Sequence, residues 1–154
     1  MIVGTLSLVC VLVCVLVYAE PSSAVLVRAN KPLTTSQFQK SANRICRQSN
    51  TQRDALLARY VAKLGGKLPD TATLAAAVGE YQPIFQQEID SLSALQPPKA
   101  LQPKYKSLLA SARTALAGVV ANPSGLLALA TGGKSPFDDL LRKARALGLR
   151  DCAQ

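Results

Sequence analysis

Residues 33–46 read Leu-Thr-Thr-Ser-Gln-Phe-Gln-Lys-Ser-Ala-Asn-Arg-Ile-Cys, and this run opens a helix. Thr34 can accept from the backbone of Gln37 while the Gln37 side chain reaches back, the spacing of a capping box; Leu33 and Phe38 flank it as a hydrophobic staple. Phe38, Ala42, Ile45, Cys46, Leu56, Tyr60 and Leu64 then recur at helical spacing until Gly65-Gly66 stops the run.

The same logic recurs three times along the chain. Asp70, behind Pro69, is placed to cap a second helix. Its stripe of Leu74, Val78, Tyr81, Phe85, Ile89 and Leu92 stays in register across Pro83. Proline deletes a backbone donor and presses on the residue four back, here Gly79, so the pattern predicts one kinked helix ending near Leu95. Gln96-Pro97-Pro98 makes a stiff connection. A third helix starts near Leu101, with Pro103 in its first turn, and buries Leu101, Tyr105, Leu108, Ala112, Leu116 and Val119 before Asn122-Pro123. Ser124–Thr131 has room for one or two helical turns. The last helix has Ser135 as cap, Pro136 first and Asp138 third, with Phe137, Leu140, Leu141, Ala144 and Leu147 inward and a Schellman ending at Gly148-Leu149. Short connections make neighbouring helices antiparallel. The expected fold is all-α, an antiparallel up-down four-helix bundle with a kinked second helix over residues 34–154, preceded by a lead-in at 25–33.

Residues 1–24 form a separate unit. Ile2 to Ala19 is almost uninterrupted apolar sequence, followed by Glu-Pro-Ser-Ser-Ala. This reads as a signal peptide cleaved after Ala19 or Ala24, or else as an N-terminal membrane anchor, since the run approaches a spanning length. No Lys or Arg precedes it. In a retained anchor, Arg28 and Lys31 on its C-terminal side would favour a cytoplasmic domain. The cysteines argue for export. Cys10 and Cys14 lie in the apolar run as small hydrophobes, with Val9 and Val13 where a lipid-acceptor signal needs a small residue. Cys46 and Cys152 remain, an even count that suggests a disulfide in an exported chain. In an up-down order the start of the first helix and the end of the fourth share one end, so the pair is in reach. Such a loop of about 100 residues is worth up to roughly 4.7 kcal/mol. The expected location is secreted or extracytoplasmic, membrane-anchored through residues 2–19 if the leader is kept.

Three short runs, Ala42-Asn43-Arg44-Ile45-Cys46, Leu95-Gln96-Pro97-Pro98 and Ala146-Leu147-Gly148-Leu149-Arg150-Asp151-Cys152, resemble those of small exported helical proteins of high-GC Gram-positive bacteria, some described as lipoproteins. The resemblance spans most of the mature chain. It implies export and the disulfide, and it implies no activity, because none is established for that class.

The chain has no histidine, and Met1 is its only methionine. Haem bundles, zinc hydrolases and Ser-His or Cys-His nucleophiles mostly depend on histidine, so no enzyme, metal or cofactor is expected. Glu80, Glu88 and Asp90 are spread round the second helix, and Asp138 and Asp139 open the last, where the dipole favours acids; they read as caps and surface charges. Thr131-Gly132-Gly133-Lys134-Ser135 lacks the first glycine of a P-loop, Ala128 standing in its place. Arg53 falls inside the apolar face of the first helix. Either it snorkels at the edge, or it belongs to a buried polar cluster with Tyr81 and Glu88.

Eighteen Lys and Arg stand against nine acids, a net charge of +9. Lys40, Arg44 and Arg47, at steps of four and three, form a basic stripe opposite Phe38 and Ile45, a candidate contact for an anionic membrane or cell-wall polymer. The function expected is a non-enzymatic exported envelope protein that binds a protein partner or an anionic surface. A carrier for a small apolar ligand between helices and a membrane-anchored extracytoplasmic interaction domain are the alternatives. Nucleic acid is not an expected partner for an exported chain. The intact mass of native protein, with non-reducing peptide mapping, is expected to show cleavage after Ala19 or Ala24 and a Cys46–Cys152 link. Retention of residues 1–19 would identify an anchored form instead.

Overall fold

The structure is a computed structural model and describes residues 32–126 and 134–154. The leader at 1–24, residues 25–31 of the lead-in, and the Thr131-Gly132-Gly133 run lie outside the described residues. What is described is helical, with no strand. Helix α1 spans Thr35–Leu64, α2 Thr71–Ser93, α3 Gln102–Ala121 and α4 Asp138–Ala146. Short 3₁₀ turns occupy Lys99–Leu101, Pro123–Leu126 and Arg150–Ala153.

Local chemistry sets most boundaries. At the start of α1, Gln37 N donates to Thr34 Oγ1 (3.3 Å) and Thr34 N to Gln37 Oε1 (3.0 Å), satisfying two otherwise orphaned donors. Gly65 ends the helix in the left-handed region at φ 56°, where a Cβ is unfavourable. Asp70 Oδ1 accepts from Thr73 N at 2.7 Å and caps α2. That helix runs through Pro83 without a break. The regular part of α4 begins two residues later than the sequence predicts. Ser135 does cap, its Oγ accepting from Phe137 N and its carbonyl from Asp138 N, but this makes a tight turn over Pro136-Phe137. The Schellman ending forms: Leu149 N donates to Ala144 O and Gly148 N to Arg145 O, both 3.0 Å, and Ala144 and Leu149 are fully buried.

Packing follows chain order. α1 lies on α2, α2 on α3 and α3 on α4, and the turn at 150–153 carries the chain back onto α1. The core draws Phe38, Ala42 and Cys46 from α1, Phe85, Ile89 and Leu92 from α2, and Tyr105, Leu108, Ala112 and Leu116 from α3. Leu140, Leu147 and Leu149 complete it, each large side chain contributing roughly 1.5–3 kcal/mol by burial. Phe38 meets the Tyr105 ring edge-on at 4.9 Å. The Tyr105 hydroxyl donates to Leu92 O at 2.6 Å, satisfying a carbonyl near the end of α2.

The return to α1 is polar and covalent. Gln39 Nε2 donates to Leu147 O (2.9 Å), Asn43 Nδ2 to Gly148 O (3.4 Å), and Asn50 Nδ2 to Asp151 O (2.8 Å). Asn43 Oδ1 in turn accepts from Asp151 N at 3.0 Å. Among these contacts the Cys46 and Cys152 sulfurs lie at bonding distance, 2.01 Å, with Cα atoms 5.0 Å apart and 106 residues between them in sequence. Leu33 N donates to Gln96 O at 3.0 Å, so the start of α1 also meets the α2–α3 connection.

Gly148 carries two constraints. Its φ is 73°, and a Cβ there would come within 2.4 Å of Gln39 Nε2, the atom that donates to Leu147 O. Gly148→Ala must therefore strain the backbone and displace Gln39. Chemical denaturation is expected to show a loss of about 1–3 kcal/mol, combining left-handed strain with one hydrogen bond.

Candidate functional site

The face of α1 that carries Cys46 continues through Ser49 to Arg53, steps of three and four that keep all three on one side of the helix. Arg53 is turned inward. Its Nη1 bonds Glu88 on α2 and its Nη2 bonds Asn50 Oδ1 one turn back. The Arg53 side chain is 18% exposed and that of Glu88 only 5%, so this is a buried ion pair and not an edge arginine. Glu88 is accordingly not the surface carboxylate that its place in the sequence suggests, because α1 covers it. The guanidinium carbon also stands 5.5 Å above the Phe85 ring, a cation–π contact. Tyr81 joins the group through its ring, 5.6 Å from Phe85 and 6.4 Å from Phe137. Burial pushes the Tyr81 hydroxyl up to about 12 and raises Glu88 above the ordinary carboxylate value, an effect that Arg53 opposes. Asn50 and Phe85 complete this cluster. Asn50 precedes Arg53 by three residues, a spacing that signals a helix neighbour, whereas Phe85 reads from sequence only as core.

Two cavities of about 240 and 250 Å³ touch this cluster, sharing Arg53, Tyr81 and Phe137. Each falls below the roughly 300 Å³ at which ligand pockets begin. A larger cleft of about 500 Å³ opens between α1 and α2 on the other side of Glu88.

The basic stripe is rearranged by the fold. Lys40 and Arg44 are exposed. Arg47 is exposed too, but it pairs with Asp151 at 2.6 Å, so the stripe loses its third free charge to an acid from the far end of the chain. Other basic residues replace it. The Leu33–Gln96, Tyr105–Leu92 and Gln39–Leu147 hydrogen bonds bring the start of α1 to the α2–α3 connection and to the end of α4, and the start of α3 to the end of α2. Lys40, Arg44, Lys99, Lys104, Lys106, Arg145 and Arg150 gather there, all exposed and none in an ion pair among the described residues. Of the acids nearby, Asp151 is taken by Arg47 and Asp90 accepts from Gln86. Elsewhere some charges offset one another, while Lys63, Lys67, Arg113 and Lys134 are also exposed and in no ion pair among the described residues. Arg59 pairs with Glu80, which also accepts from Tyr60. Asp139 holds Arg142 and Lys143 and accepts from Ser111, with Lys143 and Ser111 drawing its carboxyl down to about 2.

Among the described residues no group of His, Cys, Asp and Glu could hold a metal ion, and no helix is long and apolar enough to cross a membrane. Comparison with protein-family models, with curated proteins and with solved structures found no match.

The ion pair makes a sharp stability test. Glu88→Ala leaves Arg53 buried without its partner and is expected to cost about 3–5 kcal/mol, whereas a joint Arg53→Met, Glu88→Leu exchange should recover most of that loss. The pH dependence runs with the proton. Folded Glu88 holds its proton more tightly than the unfolded group at 4.5, so its contribution falls as pH rises above that value through the folded pKa. Glu88→Gln should lack this decline in denaturation curves taken across the window.

Proposed function

We propose that this is a non-enzymatic, exported envelope protein that docks on anionic phospholipid headgroups through the basic end of its helical domain. The observation that carries the proposal is the exposure of Lys40, Arg44, Lys99, Lys104, Lys106, Arg145 and Arg150 around one end, none of them in an ion pair among the described residues. Each such residue near an anionic membrane contributes about 1 kcal/mol, and the effect fades within a Debye length. The disulfide partners favour the exported location, since such bonds persist in oxidising compartments. We take the helices to run up-down-up-down with a bend at Pro83; the meeting of alternate helix ends supports that order, and the donor missing at Pro83 supports the bend.

The test is cosedimentation of the oxidised protein with vesicles of anionic or zwitterionic phospholipid. Binding to the anionic vesicles alone, released at high salt, is expected. Replacing Lys40, Arg44, Lys99 and Lys104 with Gln should weaken it by about two to three orders of magnitude, while Lys63→Gln with Lys67→Gln, at the other end of α1, should change it little. Equal losses for the two sets would overturn the proposal.

A further inference from the structure

Among the described residues the large apolar side chains left exposed are Leu57, Val61, Leu68 and Val120. The first three lie close together, on the second half of α1 and just past its end. Leu57 is 62% exposed and Val61 57%. With the half-buried Leu64 they follow steps of four and three, which places them on one side of the helix. Single exposed leucines are ordinary, whereas a continuous apolar strip marks a contact surface. The cavity of about 250 Å³ lined by Leu57, Val119 and Leu126 borders this strip, so apolar surface runs on toward the end of α3, where Val120 is exposed.

The strip is bounded by opposite charges. Asp54, three residues before Leu57 and on the same side of α1, stands at its N-terminal end, and Lys67 stands at its C-terminal end. Both are exposed, and neither is in an ion pair among the described residues. The turn after Gly65-Gly66 closes with Lys67 N donating to Leu64 O at 3.0 Å, which keeps Lys67 beside the end of the helix. Arg59 and Lys63, one turn apart, lie on the opposite side of α1, where Arg59 pairs with Glu80.

We propose that this face binds a second copy of the chain, α1 packing antiparallel on α1 about a two-fold axis near Val61. A two-fold contact lays one patch upon itself, so the patch must be self-complementary. About that axis Leu57 meets Leu64 of the partner subunit, Val61 meets Val61 of the partner subunit, and Asp54 meets Lys67 of the partner subunit, because all three pairs are centred on the same point of the helix. A parallel arrangement would instead set acid against acid and base against base, so charge selects the antiparallel one. An anionic lipid surface is a poorer occupant, because it offers nothing to Asp54. From Asp54 to Leu64 the strip runs about 15 Å, a small contact of the kind that forms reversible dimers. The two basic ends then lie at opposite extremes of the pair, so association adds no charge to the surface that either end presents to lipid.

The experiment is sedimentation equilibrium of the oxidised protein in low-salt buffer without lipid, over micromolar to millimolar concentrations. A monomer–dimer equilibrium with its dissociation constant in that range is expected. Val61→Lys should weaken it by about a hundredfold, since both copies lose a buried side chain, with the helical circular-dichroism signal unchanged at so exposed a position. Asp54→Lys and Lys67→Asp should each weaken it roughly tenfold, and the two changes together should restore it. Lys63→Gln, on the opposite side of the helix, should leave it unchanged. A monomer throughout the range, open-ended aggregation, undiminished association in Val61→Lys, or a charge exchange that fails to restore the dimer would overturn the proposal.

Discussion

The closure of the C-terminal turn onto α1 is the contact on which the rest of the structure depends. Each of the first three helices packs on its successor, but α4 reaches α1 only through the residues that follow it, 147–153. That return is made by Gln39, Asn43 and Asn50 bonding backbone groups of the last turn, and by Cys46 meeting Cys152. Each hydrogen bond contributes about 0.5–1.5 kcal/mol net, and a bridge over so long a loop contributes about 2–4 kcal/mol. Together these rival the whole margin of a small domain. The aromatic-poor core, with three Phe, four Tyr and no Trp in the chain, packs mainly Leu and Ala, which is why a covalent closure matters.

The closure also places the interior polar groups. Cys46 and Arg53 share one face of α1, so pinning the first turn-pairs of that helix to residue 152 sets which side of it faces α2. Arg53 then meets Glu88 inside the protein, and Ser49 lies at the wall of the α1–α2 cleft. Buried ion pairs rarely stabilise relative to apolar replacements. Here the pair has a geometric consequence: it holds Glu88 compensated from one side while leaving it at the wall of a polar cleft on the other.

Charge is divided along the same lines. Glu80 and Glu88 on α2 pair with Arg59 and Arg53, Asp139 on α4 pairs with Arg142 and Lys143, and Asp151 pairs with Arg47. Seven exposed basic residues in no ion pair among the described residues lie toward the end where α1 starts.

Much of the helical framework was legible in the chain. The capping box at Thr34, the Asp70 cap, the glycine stop at Gly65 and the Schellman ending at Gly148 are local chemistry, readable because each involves residues within a few positions of one another. The register across Pro83 was legible for the same reason, as hydrophobic spacing survives a single missing donor. The tight turn at Ser135-Pro136-Phe137 was not, because cap residues do not distinguish an i+3 from an i+4 first bond. Other features required the tertiary structure. Arg53 had two readings until α2 supplied Glu88. Arg47 looked free until residue 151 arrived from the other end of the chain. The basic end joins residues from three helices and two turns that no linear spacing relates. Sequence determined where helices begin and end, because those are energies of near neighbours; tertiary structure alone decided which charges are paired, buried or left facing solvent, because those depend on which distant side chain is brought alongside.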